Sequence, residues 1–278
     1  MIYQIIQPAI HLQDFVKDYQ LIHAVFNAKY DSPVKPFPST TQHSLVFYLR
    51  GGITAVKPST NTVEKFATIA INGAQLSNFN FHLSQEFLML SVNFQPGALS
   101  KFLKLPLIEF LDARIDATAI LNPEIQQVFE QMVNAEINDG LIKIVETYLW
   151  KRIQVLKNNF QPIDEVSRMM LNNPTACSIK TLASHACLSV SQFERRFIQQ
   201  EGISPKLFNR INRFNNAFLL KSLTPHLDWL SIAVRTGYND YQHLVKDFKQ
   251  FSGTTPNNLL KAEAKAPTNA LELFAKKR

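Results

Sequence analysis

Residues 179–205 read IKTLASHACLSVSQFERRFIQQEGISP, and residues 229–256 read WLSIAVRTGYNDYQHLVKDFKQFSGTTP. These two stretches are versions of one unit. A short helix with alanine near its middle (Ala183; Ala233) leads through a tight turn into a second helix, which carries Phe193 and Phe197 in the first copy and Leu244 and Phe248 in the second. A glycine and then a proline close each copy, Gly202 and Pro205, Gly253 and Pro256. A short helix, a sharp turn and a second helix form the arrangement that projects a helix into a DNA major groove. At 100° per residue, inward Phe193 and Phe197 leave Ser191, Gln192, Arg195 and Gln199 outward. On the other helix Gln242, Lys246, Lys249 and Gln250 face out, with His243 at the margin. Arginine grips guanine O6 and N7 with two bonds, and glutamine does the same for adenine N6 and N7. A solvated face explains either helix alone; two such faces in one basic segment favour DNA.

Around these units the chain reads as short helices. Pro162 suits the first turn of a helix to Leu171, since its missing N–H would have no partner there. Helices are expected over Ile179 to Ala186 and Val190 to Gln200, with Cys187 to Ser189 as the turn. A longer helix runs from Pro205 to Ser222. Asp228 caps a helix over Trp229 to Thr236, Asp240 caps one reaching Phe251, and Pro256 opens the last. Upstream the character changes. Ser44 to Leu49, Phe66 to Ile71 and Phe87 to Phe94 are short, aromatic and β-branched, which predicts strands. Gly97 to Leu103, Ile108 to Leu111, Pro123 to Ile137 and Asp139 to Asn158 then favour helix. The last of these packs either on its own β-rich core or on another domain or copy. The fold class expected is α+β in two domains: a small N-terminal β-barrel or sandwich with trailing helices over 1–159, then an all-α double helix-turn-helix over 160–264. A tail follows over 265–278.

Charge divides the same way. Residues 1–159 hold 13 Lys and Arg against 13 Asp and Glu, whereas residues 160–278 hold 16 against 9, so the whole net charge of +7 lies in the helical part. A basic segment joined to a neutral one suggests that one part meets a polyanion and the other does something else. No apolar run nears the roughly 18 residues of a membrane span. The start MIYQIIQPAIHLQDF lacks a signal-peptide pattern, so a cytoplasmic location is expected. Cys177 and Cys187 are expected to remain thiols.

The segment from Pro162 to Lys261 closely resembles the DNA-binding domain of the AraC/XylS family of transcription regulators. The resemblance rests on Ala183, Ser189, Phe193, Arg195, Phe197, Gly202, Ser204 and Pro205, then on Arg213, Phe214, Ala217 and Leu220. It continues through Ile232, Ala233, Gly237, Tyr238, His243, Phe248, Lys249, Phe251, Gly253 and Pro256. It implies that Arg195 takes the place of the family's arginine in the first recognition helix, with Ser191 and Glu194 at neighbouring groove-facing positions. The DNA-binding set is then Ser191, Gln192, Glu194, Arg195, Arg196, Gln199, Gln242, His243, Lys246 and Lys249. Lys246 stands where the family usually has arginine, Leu244 where it often has phenylalanine, and Lys261 replaces a frequent closing arginine. A lysine lacks the planar fork, so the second unit is expected to read phosphates more than bases. Residues 94–98 (FQPGA), Leu105-Pro106 and Glu109-Phe110-Leu111 resemble the strand-to-helix junction of the family's β-rich N-terminal domain. The resemblance implies transcription regulation, with RNA polymerase as a partner besides double-stranded DNA; an activator is expected, although the sequence does not choose activation over repression. A small-molecule effector, a protein effector and a homodimer stay open.

The rival class is a metal- or ligand-dependent enzyme domain fused to a DNA-binding module. His11, His23, His43 and His82 lie in the β-rich part, and His43 with His82 is the pair that neighbouring strands would bring together, yet no short ligand spacing commits them. Scattered polar histidines are the preferred reading, so no catalytic residue, metal or cofactor is expected. Gly51-Gly52 reads as a hairpin turn, not a phosphate loop. An alkyl-transfer repair centre would need zinc-binding cysteines, and both cysteines lie in the helical part. Phe37, Phe47, Phe79, Phe81 and Phe87 either line a ligand pocket or form an ordinary core.

Overall fold

The computed structural model describes residues 2–26, 34–136, 139–156, 160–174 and 177–265. The β-rich part has two antiparallel sheets. The first is ordered β1 (Ile2–Ile6), β2 (Val16–Val25), β9 (Glu86–Phe94), β4 (Ser44–Arg50), β7 (Ile69–Asn72) and β10 (Arg114–Asp116). The second is ordered β3 (Val34–Phe37), β8 (Phe79–Leu83), β5 (Ile53–Lys57) and β6 (Thr62–Lys65). They face each other as a sandwich and do not close into a barrel.

The first sheet is the middle layer. Leu45, Phe47, Leu90 and Val92 meet α1 (Ala98–Leu103), α2 (Glu124–Val133) and α3 (Asp139–Val155), while Val46, Tyr48 and Phe87 meet the second sheet. Burial on both faces explains why SLVFYL runs apolar without alternation. α3 buries Leu141, Val145, Tyr148, Leu149 and Ile153 in this same core, so it packs on its own part of the chain. The strand expected over Phe66 to Ile71 begins only at Ile69. Phe66 to Thr68 carry the chain from the second sheet back to the first, with the Phe66 N–H donating to Ile53 and the Tyr48 N–H to Thr68. Ile108 to Leu111 forms a 3-10 turn over Leu107–Phe110, not an α-helix. At the expected glycine hairpin, Gly51 takes φ +67° between β4 and β5.

The helical part follows as α4 (Pro162–Asn172), α5 (Ile179–His185), α6 (Val190–Glu201), α7 (Pro205–Leu223), α8 (Trp229–Arg235), α9 (Tyr241–Ser252) and α10 (Pro256–Lys265). Local chemistry sets these limits. Ser178, Ser189, Ser204, Asp228 and Asp240 each cap the following helix with a side-chain oxygen. Gly202 and Gly253 end α6 and α9 in the left-handed region at φ +77° and +72°. The turn inside each unit also needs a left-handed residue, supplied by Cys187 (φ 55°) and Gly237 (φ 78°). The expected tail beyond residue 265 and the junction at 157–159 lie outside the described residues.

The two parts pack on each other. Ala74, Leu76 and Leu111 from the β-rich part join the helical core around Phe197, Phe208 and Phe214. A Cβ on Gly202 would sit 2.7 Å from the Leu107 carbonyl oxygen, so that close approach requires glycine.

Candidate nucleic-acid interface

α6 and α9 bury one side and expose the other. Phe193, Phe197, Leu244 and Phe248 are fully buried, with Phe193 against Phe197 at 5.6 Å and Phe214 edge-on to Phe248 at 4.7 Å between ring centroids. Burying each ring contributes about 1.5–3 kcal/mol, enough to fix which face of each helix looks outward. Ser191, Gln192, Glu194, Arg195, Arg196, Gln199, Gln242, His243, Lys246 and Lys249 are all exposed.

Their surroundings differ in ways that spacing does not reveal. Gln192 closes a capping box: its side-chain oxygen accepts the Ser189 N–H at 3.2 Å, while the Ser189 hydroxyl accepts the Gln192 N–H at 3.3 Å. Arg196 donates to Gln161 at 3.4 Å, at the start of α4. The His243 ring is held by Asp240 at 2.9 Å. Gln250 accepts from Arg210 at 2.7 Å. Arg195, Lys246 and Lys249 make no ion pair among the described residues and project from exposed helix faces.

One residue that holds the second unit was missed in sequence. Asp247, only 4% exposed, accepts from Arg210 at 2.6 Å, Arg213 at 3.3 Å and the Tyr238 hydroxyl at 3.1 Å. The Arg213 guanidinium also lies 4.1 Å from the Tyr238 ring centroid. Asp247 thereby ties α9 to the spacer helix α7. Its signal is a carboxylate at an inward position of α9, one residue before Phe248.

The first unit is tied to the β-rich part instead. Glu201, at the end of α6, is 1% exposed, and its carboxylate lies 3.7 Å from Nδ1 of His43, which is 2% exposed. Burial, then the nearby Asp164 carboxylate, pushes Glu201 up to about 8, and burial pushes His43 down to about 4. Asp164 forms an ion pair with Lys101 of α1 and accepts from Gln200 at 3.2 Å. Glu201 binds its proton more tightly folded than unfolded, so its contribution is full below pH 4.5 and is lost as pH rises through about 8. His43 acts oppositely, adding stability as pH rises from about 4 to 6.5. Of this pair, only Glu201 changes between pH 6.5 and 8. Stability should therefore fall by roughly 2 kcal/mol across that window, at about 1.4 kcal/mol per pH unit. Urea denaturation of the wild type and of Glu201→Gln checks this; a fall equally steep in the variant rules out Glu201 as its source.

The two histidines that the rival metal reading would pair are apart: His43 faces Glu201, and His82 lies in β8 of the second sheet. No group of three or more metal-binding side chains occurs among the described residues. Between the sheets lies a cavity of about 290 Å3. Of the five phenylalanines left between pocket and core, Phe37, Phe81 and Phe87 line it; Phe47 does not, because it faces the helices, and Phe79 sits in the inter-sheet core under the Arg114 guanidinium, 4.1 Å away. Among the described residues, no helix is long and apolar enough to cross a membrane.

Two capped helix pairs, each with a polar outer helix and joined by α7, define a double helix-turn-helix protein with a β-sandwich in front. Residues 182–262 match the family model described as a helix-turn-helix domain, and residues 4–116 match a model described as a domain of unknown function (DUF6597). The helical part thus carries a helix-turn-helix domain. The chain is similar to the arabinose operon regulatory proteins of Escherichia coli (strain K12), 25% identical over 148 residues, and Salmonella typhimurium, 27% identical over 148 residues. These matches cover 49% of this chain and 50% and 52% of the relatives, so the chain spans about half the length of the curated relatives it matches. Among solved structures, the AdpA DNA-binding domain in complex with a target DNA is 24% identical with a TM-score of 0.35, covering 39% of this chain and 99% of that one. ToxT from Vibrio cholerae bound to a naphthalenyl butenoic acid is 12% identical with a TM-score of 0.49, covering 87% and 98%.

Proposed function

We propose that this chain is a sequence-specific DNA-binding transcription regulator, in which α6 and α9 enter successive major-groove segments of one duplex. The observation that carries this reading is the pair of exposed polar faces on capped helices, in the part of the chain that holds the entire positive excess. The domain match over 182–262 and the arabinose operon regulatory relatives support it. Double-stranded DNA is the partner, and activation of transcription through RNA polymerase is the mode its family suggests. Arg195 is the main base reader; Ser191, Glu194, Gln199 and Gln242 flank it and its counterpart face. Gln192, Arg196 and His243 hold local structure and offer what remains of their hydrogen-bonding capacity. Lys246 and Lys249 act on phosphates. The division is 1–159, with the sandwich cavity as the place for an effector, and 160–264 for DNA.

The test is binding-site selection from random duplexes with the full chain, followed by gel-shift titration at several salt concentrations. Arg195→Ala should lower affinity for the selected site by roughly 5- to 150-fold, the equivalent of about 1–3 kcal/mol, and relax one base position. Lys246→Ala should weaken selected and random duplexes alike and flatten the salt dependence by about one phosphate. An unchanged base preference in the Arg195 variant would sink that residue's assignment.

A further inference from the structure

Residues 39–44 join β3 to β4, and their side chains alternate between the two parts of the molecule. Thr40, Gln42 and Ser44 line the sandwich cavity. Thr41 and His43 point the other way and are 6% and 2% exposed. The Thr41 hydroxyl donates to Oδ1 of Asn212 in α7 at 2.7 Å, inside the protein. His43 meets the Glu201 carbonyl at 3.2 Å, at the end of α6. The Ser39 N–H donates to the Phe251 carbonyl at 2.8 Å, at the end of α9. One six-residue segment thus touches both recognition helices and the helix that spaces them.

The segment is also fixed from behind. Thr40 and Gln75 exchange backbone hydrogen bonds of 2.9 and 2.8 Å, and the Gln42 amide donates to the His43 and Phe94 carbonyls at 2.8 and 3.0 Å. The face of the first sheet that shares this cavity is graded. Ser44, Ser91 and Asn93 lie at the end beside the segment, whereas Tyr48, Phe87 and Met89 lie at the other. A metabolite-sized molecule with a hydrogen-bonding end would place that end against Gln42 and Ser44.

We propose that residues 39–44 are a positioning strap: they set the relation between the two helix-turn-helix units, and occupancy of the polar end of the cavity changes that setting. The inference rests on the DNA-binding reading above. Because adjacent residues of an extended chain point to opposite faces, a shift that moves Thr40, Gln42 or Ser44 must move Thr41 and His43 with it. Thr41 and His43 are positioning residues and touch no DNA.

The experiment is site selection by the full chain from random duplexes, scoring the spacing between the two boxes separately from the sequence of each box. The wild type should select one dominant spacing. Thr41→Val, which keeps the shape and removes the donor, should broaden the spacings and lower affinity for the dominant one roughly tenfold, while each box sequence is unchanged. Thr41→Ser, which keeps the hydroxyl, should restore the single spacing, an outcome that a merely destabilised fold would not give. Ser91→Trp places bulk in the polar end of the cavity without replacing a residue of the strap and should shift the preferred spacing; Ser91→Leu covers a failure of the larger side chain to fold. A wild-type spacing profile in Thr41→Val overturns the positioning role, and an unchanged profile in both folded Ser91 variants overturns the link to the cavity. Recovery of two-box sites with either of these results leaves DNA binding standing. Recovery of no sequence motif by the wild type overturns DNA reading and the strap together.

Discussion

Inserting about 5 base pairs between the two contacted boxes should lower the affinity of the full chain by on the order of 100-fold or more, since one unit's base and phosphate contacts are lost together. The spacer is α7, whose 19 residues rise about 28 Å at 1.5 Å each, close to the roughly 34 Å of one DNA turn. The units that flank this spacer are both held. Asp247 binds Arg210 and Arg213 of α7, and α6 is held through Glu201 and Gly202 against the sandwich. A half-turn insertion carries the second box to the far side of the duplex, where a braced helix cannot follow. A full-turn insertion restores the face but not the distance, so it should not recover binding either. Footprinting with titration decides the matter: full affinity after the half-turn insertion, with both boxes protected, would show two flexibly tethered readers.

The second large effect is expected on stability. Asp247→Ala should cost about 3–5 kcal/mol, the range for breaking a buried ion pair and leaving its partners uncompensated. Three donors converge on this carboxylate, and Arg210 and Arg213 are about a quarter exposed, which places the expected loss at the lower end. Asp247→Asn keeps an acceptor for Tyr238 but loses the charge and should fall between wild type and alanine. Urea denaturation gives the stability, and titration against duplexes with one or two boxes shows whether the second unit fails first. A loss under about 1 kcal/mol for the alanine variant would mean that α9 is held by its buried face alone.

What the sequence determined by itself is mostly local. The ends of the helices were legible because Ser189, Ser204, Asp228 and Asp240 act within three residues of where they stand, and Gly202 and Gly253 act on their own backbone. The outward strips on α6 and α9 followed from a period of 3.6 residues anchored by two buried side chains. Charge asymmetry needs no structure at all. In the β-rich part, the apolar run over Ser44 to Leu49 revealed a strand but not which face met helices and which met the second sheet, because both faces are buried. Phe47 was therefore left between a pocket and a core, and it belongs to the core that meets the helices.

Tertiary structure alone decided how the parts are joined. Thr41 meets Asn212 across 171 residues, and His43 meets the Glu201 carbonyl across 158. Nothing in the pattern around Thr41 or His43 marks them, since a buried hydrogen bond between distant segments leaves no periodicity in either one. Gln192 shows a local limit: one side chain can serve a capping box or a base edge, and spacing alone does not say which competes better. The cavity has the same origin as the joints. Its walls come from strands of two sheets that are adjacent only after folding, and its polar end lies beside the helices because residues 39–44 pass between them.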